Sequence, residues 1–318
     1  MKINFGLIGL SDISERIMID TINNNSNCSI KKIASKTRKI PKKILKKTNA
    51  IACSDYLEII NDKNINAIYI SIPTGIRLKW TILALKSGKH ILIEKPAVMT
   101  LSESRQITKL AINNDCVLKE NFMFLHHKQH KFVKSIIDKQ LMGQIKLINS
   151  VFTYPKFKKN NFRNSKLLGG GALYDVGCYS LKLANYFLDG DLKIDNSTLI
   201  KKNKIDVFGN ISISNSRHQI LNSVFGFNAP YKNSYQIICE NGYINVFRAF
   251  SIPSNNEARI DVSKNNRIKT YYKKDNHFKN ILKVFIKDIF KKNYKENCND
   301  IMLQSRMIAE VMRKDKLK

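Results

Sequence analysis

Through the first 120 residues, short apolar runs alternate with amphipathic stretches of helical period. The runs at 3–8, 30–35, 67–72 and 90–93 are continuous enough for strands buried on both faces, and shorter ones fall at 50–53 and 116–119. Between them the pattern predicts helices over 12–23, from Pro41 onward, within "DYLEIIND", over 76–87 with Gly88 as the stop, and over 102–113. Such alternation means right-handed β-α-β units and a parallel sheet covered on both faces.

After Asn121 the pattern changes. A helical stretch to residue 137 leads to the strand "KLINSVFTY", a loop, and a helix over 171–187. Residues 193–262 hold mainly strand-like runs, "KIDVFGNISIS", "QILNSVFGF" and "YQIICENGYINVF". The Asn241-Gly242 pair is a hairpin signal. Two helices follow, over 279–290 and 300–313. The chain therefore divides into a doubly wound α/β domain, 1–120, and an α+β domain, 121–318, built on a mainly antiparallel sheet. The last helix is able to pack back on the first domain.

Composition narrows the classes. With 43% hydrophobic residues the chain can bury a sizeable core. No 18-residue apolar run is present, so no membrane span is expected. Met1 leads straight into the first strand without a cleavable signal, which points to the cytoplasm. Six cysteines without C-x-x-C or metal spacing read as free thiols in a reducing compartment. The net charge of +30 would ordinarily signal nucleic acid. Here the lysines are spread along the chain among Asn and Ile, as in "KKIASKTRKIPKKILKKTN", and no recognition motif accompanies them. They read as a compositional bias, and no specific nucleic-acid partner is expected.

Three places carry chemistry. After the first strand comes Gly9-x-Ser11-x-x-Ser14, where a dinucleotide fold has G-x-G-x-x-G, and Asp12 and Ile13 open the following helix. At the end of the second strand stand Ser35, Lys36 and Arg38 instead of the carboxylate that holds an NAD ribose. A hydroxyl and two cations suit a 2′-phosphate, so NADP(H) is the expected cofactor, with NAD(H) possible. Glu94-Lys95-Pro96 ends the fifth strand, at the sheet edge where ligands bind, and a cis Lys95–Pro96 bond would suit that turn. In the second domain "GGGALYDVGCY" opens a helix with Asp175 and Tyr179 spaced i, i+4. Tyrosine can donate a proton when a nearby lysine stabilises its phenolate. His126, His127 and His130 lack a carboxylate motif, so no metal is expected.

"GLIGLSDIS", "EKP" at 94–96 and "GGGALYDVGCY" at 169–179, in this order and with "Ile72-Pro73-Thr74" between, resemble the Gfo/Idh/MocA family of NAD(P)-dependent oxidoreductases. The resemblance covers essentially the whole chain. It implies a Rossmann domain plus an open-faced mixed sheet, with hydride passing between nicotinamide and a carbinol or carbonyl carbon of a sugar, nucleotide-sugar or cyclic polyol. Tyr179 would exchange the oxygen's proton, Lys95 would hydrogen-bond that oxygen, and Asp175 would orient substrate or Tyr179. Gly9, Ser11, Asp12, Ile13, Pro73, Thr74, Glu94 and Lys95 would contact the cofactor. Arg163 and Arg77 would face the substrate, and Phe124 would line that pocket or belong to the core. Thr74, Arg77 and Leu125 depart from the family's usual residues, which leaves the substrate open. A homodimer or homotetramer through the second domain's sheet is implied by analogy. The competing reading is a non-catalytic dinucleotide-binding regulator that kept the fold.

Overall fold

The computed structural model describes residues 2–316. Its contacts separate two units. One runs up to Asn121 and adds Leu167–Gly169 and Phe278–Ser305; the other comprises Phe122–Lys166, Gly170–His277 and the chain from Arg306 on.

The first unit holds strands β1 (Ile3–Ile8), β2 (Cys28–Ala34), β3 (Ile51–Cys53), β4 (Ala67–Ile70), β5 (His90–Ile93) and β6 (Leu118–Glu120). Helices α1 (Ile19–Asn23), α2 (Lys42–Thr48), α3 (Leu57–Ile60), α4 (Arg77–Lys86) and α5 (Leu101–Asn113) alternate with them. The strand order is β3-β2-β1-β4-β5-β6 and every pair is parallel. This is a Rossmann arrangement, with its switch point between β1 and β4. The apolar runs account for it: Phe5, Leu7, Ile8, Ile68 and Ile70 have no measurable exposure. The start of α5 is a capping box, in which Thr100 and Glu103 exchange side chain-to-backbone hydrogen bonds. Helix α1 is preceded by a π-helical turn at Ser14–Met18, so the predicted 12–23 helix is present with one wider turn in it.

The second unit holds α6 (Lys128–Asp138), β7 (Ile145–Tyr154), α7 (Cys178–Phe187), then β8 (Leu192–Lys202), β9 (Ile205–Asn215), β10 (Ile220–Phe227), β11 (Lys232–Cys239), β12 (Gly242–Phe247), β13 (Glu257–Lys264) and β14 (Arg267–Lys274). The sheet order is β14-β13-β12-β11-β7-β10-β9-β8. All its pairs are antiparallel except β7 with β10. One face packs on the 172–187 helix: Gly177 meets the Phe225 ring, and Ser180 Oγ bonds Ser150 and Ser223. On the other face the register aligns one polar residue from each strand, from Asn196 through Ser212, Asn222, Asn149, Gln236, Asn245 and Asp261 to Thr270. Beside it runs a more apolar row, Ile220, Leu147, Ile238 and Tyr243, continued through Ser263 to Ile268.

Helices α8 (His277–Lys291) and α9 (Tyr294–Lys316) follow. Phe285 meets the Phe5 ring at 6.1 Å, and Lys119 Nζ bonds Asp288 (3.1 Å) and Asn297 (2.7 Å). All six cysteines are buried free thiols. Among the described residues no helix is long and apolar enough to cross a membrane, and no group of His, Cys, Asp and Glu is placed to hold a metal ion.

The histidines have another use. His130 Nε2 donates to the Ala249 carbonyl (2.9 Å), and Nδ1 accepts from Tyr235 (3.0 Å), a pairing only the neutral ring makes. Burial pulls His130 and His277 down to about 3, and lowers His127 as well. The unfolded chain thus binds more protons than the native one below the ordinary value of 6.5. Stability is intact above pH 6.5 and is lost as pH falls from there toward 3, by up to about 1.4 kcal/mol per pH unit for each histidine. The urea midpoint is expected to drop steadily between pH 7 and pH 5, and His130→Gln to flatten that slope. A midpoint level across the range would contradict the assignment.

Candidate active site

At the switch point, Gly9 follows β1 with φ +92°, a conformation that favours glycine. A Cβ there would come within 2.7 Å of Ile72 Cγ2 and 3.0 Å of Ile72 N. Ser11 and Ser14 replace the later glycines by different means. Ser11 Oγ accepts from Ser14 N (3.2 Å), and its carbonyl from Glu15 N (2.9 Å), which caps the helix. Ser14 is fully buried, and its Oγ has no hydrogen-bond partner among the described residues. Asp12 is exposed and Ile13 half-buried on the same turn.

Ser35 Oγ, at the end of β2, is also buried and without a partner among the described residues. Lys36 lies over the rings of Trp80 (4.8 Å) and Tyr56 (5.1 Å) and pairs with Asp55 at 3.4 Å. Arg38 donates through Nε (2.9 Å) and Nη2 (2.5 Å) to the Leu10 carbonyl and pairs with Glu15 at 2.8 Å. The segment after β2 is thereby drawn onto the glycine turn. A Cβ-free turn, two orphaned buried hydroxyls and two adjacent cations fit a dinucleotide carrying an extra phosphate.

Glu94-Lys95-Pro96 leaves β5 with a cis Lys95–Pro96 bond. Glu94 Oε1 accepts from Tyr69 Oη and Asn121 Nδ2, each at 2.6 Å. Ala97 N donates to Glu120 Oε1 at 2.6 Å. Burial, then the neighbouring Glu94 charge, holds the Tyr69 phenol well above its usual range, so it stays a donor. The expectation that Arg77 faces the substrate is corrected here. Its side chain is 3% exposed, and its guanidinium donates to the carbonyls of Ile72, Glu94, Pro96 and Ala97. Burial lowers Arg77 to about 10, which leaves it charged at neutral pH. Thr74, after Pro73, is buried in a 3-10 turn, and Gly75 N donates to Leu168 O at 3.1 Å.

In the second unit, helix 172–187 begins with a π-helical turn at Leu173–Gly177. Its start is held by Asp206 of β9, whose Oδ2 accepts from Leu173 N at 2.5 Å. Gly171, at φ +122°, admits that carboxylate; a Cβ would lie 2.2 Å from Asp206 Oδ1. Burial raises Asp206 above the usual carboxylate range against the backbone donors that favour its charge. Asp175 is gripped by Arg163, Nε to Oδ2 at 2.6 Å and Nη2 to Oδ1 at 3.1 Å. Burial pulls Arg163 down, but Asp175, with Tyr154 and Tyr179 adding to it, holds it above its ordinary value.

Tyr179 is 5% exposed. Rings of Phe152 (5.1 Å), Phe124 (5.4 Å), Phe250 (5.6 Å) and Phe122 (5.7 Å) enclose it, and its hydroxyl points toward Met123 Sδ at 4.0 Å. Phe124, expected in the pocket wall or the core, has no exposure and packs edge-on against His130 and Phe250 and tilted against Tyr179 as part of this cage. Sequence reasoning missed Asp206 and the Phe152 and Phe250 walls. Each comes from a distant strand or loop, and only the lone acid in "NKIDVF" gave any signal.

Residues 3–122 match the GFO_IDH_MocA family, described as an oxidoreductase family with an NAD-binding Rossmann fold, and residues 130–245 match the GFO/IDH/MocA C-terminal domain. The chain is 26% identical over 264 residues to a dTDP-3,4-didehydro-2,6-dideoxy-alpha-D-glucose 3-reductase from Saccharopolyspora spinosa, covering 82% of this chain and 80% of the relative. A protein of the same description from Streptomyces antibioticus is 25% identical over 288 residues, with 90% and 88% covered. Among solved structures, a 3-ketoreductase from Actinomadura kijaniata in complex with NADP and TDP-benzene has the same fold, with a TM-score of 0.94 at 24% identity over 99% of this chain and 98% of that one.

The Asp206 cap yields a direct prediction. Asp206→Ala removes a buried acceptor and strands the helix-start donors, at a cost of about 1–3 kcal/mol in denaturant unfolding. Asp206→Asn recovers part of that loss. Unchanged stability in Asp206→Ala would mean that the carboxylate does not hold the helix.

Proposed function

The chain belongs to the Gfo/Idh/MocA family of NAD(P)-dependent oxidoreductases, and from that premise we propose that it reduces a keto group of a nucleotide-linked sugar with NADPH. The chemistry rests on one observation above all, a tyrosine hydroxyl held in an apolar ring cage on a helix whose start is pinned. The substrate class is supported by the dTDP-sugar 3-reductases that match four-fifths or more of the chain.

The cofactor would be held by Gly9, Ser11 and Ser14 at its pyrophosphate, and by Ser35, Lys36 and Arg38 at a 2′-phosphate. When bound, it supplies the hydride. Tyr179 delivers the proton from its hydroxyl to the oxygen that gains negative charge. Arg163, whose charge the Tyr179 phenolate would favour, assists by stabilising that phenolate once the proton has left. Asp175 serves by fixing Arg163 rather than by taking a proton, because both its oxygens are engaged. Lys95 supplies positive charge for the reduced oxygen, its backbone fixed by the Arg77 and Glu94 bonds around it. The presence of Lys95, Asp175 and Tyr179 favours this reading over a non-catalytic regulator, which would need only the cofactor turn.

The reading extends to assembly and compartment. The sheet face opposite the 172–187 helix carries Ile220, Phe247, Ile268 and Tyr272, each at least 40% exposed, beside the polar row, which supports a homodimer or homotetramer through this face. Six free thiols suit the cytoplasm.

Calorimetric titration is expected to show NADPH binding at least tenfold tighter than NADH. Tyr179→Phe and Lys95→Ala are each expected to lower kcat by about 10²–10⁴-fold while leaving NADPH affinity unchanged. Near-normal turnover in both variants would overturn the mechanism, and equal affinity for the two cofactors would overturn the 2′-phosphate assignment.

A further inference from the structure

Between Asp138 and Asp175 the chain contains no carboxylate, although it carries six lysines and Arg163. Lys156, Lys158, Lys159 and Lys166 of this stretch are exposed in the loop after β7. That loop is built rather than slack. Asn164 Nδ2 donates to the carbonyls of Lys158 (3.0 Å) and Lys159 (3.2 Å), and Asn161 N donates to Lys158 O at 3.0 Å. The turn presenting the adjacent lysines is therefore fixed. Its far end is welded to the glycine turn: Gly170 N donates to Ser165 O (2.8 Å) and Gly171 N to Arg163 O (3.1 Å).

An aromatic strip lies alongside. Tyr231, 40% exposed, meets Tyr154 at 5.0 Å; Tyr154 meets Phe157 at 6.0 Å, and Phe157 meets Phe227 at 4.9 Å. Arg163 sits 4.7 Å from the centres of both Phe157 and Phe162 while it grips Asp175. A line of contacts thus runs from an exposed tyrosine, past the lysine loop, to the helix that carries Tyr179. The β10–β11 turn is anchored there by Ala229 N to Tyr154 O (3.2 Å) and Thr153 Oγ1 to Pro230 O (2.6 Å).

Stacking rings beside an acid-free set of cations recognise a planar base joined to phosphates. We propose that this shelf is the subsite for the nucleoside diphosphate half of the substrate, the base stacking on Tyr231 and Tyr154 and the diphosphate held by Lys156, Lys158 and Lys159. The inference rests on the nucleotide-sugar reading and adds its location.

The test is calorimetry on the NADP⁺-loaded protein with TDP, TMP and thymidine, read without turnover. TDP is expected to bind at least tenfold tighter than TMP, and thymidine weakest. The double variant Lys158→Glu/Lys159→Glu is expected to lose at least tenfold in TDP affinity with NADP⁺ affinity intact, which also reports folding. Tyr231→Ala should weaken all three ligands by a similar factor. TDP binding no tighter than inorganic phosphate, or unaltered in these variants, overturns the proposal. So does tighter binding of a single-stranded oligothymidylate that displaces TDP, which would make the shelf a nucleic-acid groove. Turnover of free keto-sugars that TDP fails to inhibit removes the subsite and leaves the reductase. Tight TDP binding with no reduction of any keto-sugar removes the reductase and leaves the subsite.

Discussion

The turn that carries Lys95 exists because a guanidinium is buried beneath it. Desolvating a charge costs several kcal/mol unless the lost water is replaced, and Arg77 replaces it with backbone carbonyls from the ends of two neighbouring strands. Those carbonyls are ones that a chain leaving a parallel sheet must otherwise expose or waste. The same bonds fix where the chain goes after β5, and with it the path of Glu94, Lys95 and Pro96. Glu94 is then bound from the far side by Tyr69 and Asn121. A lysine on so determined a backbone has only its side-chain stem left to order in meeting a ligand, which lowers the cost of placing its charge.

The second unit meets the same requirement differently. Its helix starts on a wide turn, and wide turns leave backbone groups poorly paired. Asp206 pairs with those groups, and Gly171 gives up its side chain to let the carboxylate in. The aromatic cage then restricts Tyr179 by shape, with four rings at 5–6 Å around it. The helix after Gly9 also opens on a wide turn, capped there by a serine hydroxyl. Both helices tied to the chemistry thus begin with locally irregular backbone held by a polar side chain.

Much of the architecture was legible because it is local. Strand and helix alternation, the hairpin at Asn241-Gly242 and the Glu-Lys-Pro strand end all follow from short windows of sequence, and they appear as read. What escaped is long-range. Nothing within ten residues of Arg77 tells that its partners are carbonyls at 94, 96 and 97 rather than a ligand. Phe124 reads equally as pocket wall or core in the sequence, and only its neighbours, Phe250 among them, make it core. Asp175 and Tyr179 were paired by helical spacing, whereas Asp175 is bound to Arg163, twelve residues earlier and across a loop. Arg38 could be seen as a cation at the right strand end, but its pairing with Glu15 could not.

The composition takes on a different meaning beside these contacts. The chain has 44 lysines and only 11 arginines, so a guanidinium is the rarer cation by four to one. Arg38, Arg77 and Arg163 each use a planar fork, serving two or more acceptors at once or lying flat between rings. An ammonium on a flexible stem cannot span those acceptors or stack in that way. In a chain so rich in lysine, these three geometries mark positions that lysine could not fill without losing acceptors. They give a map of constraint read from one chain, without any second sequence to compare.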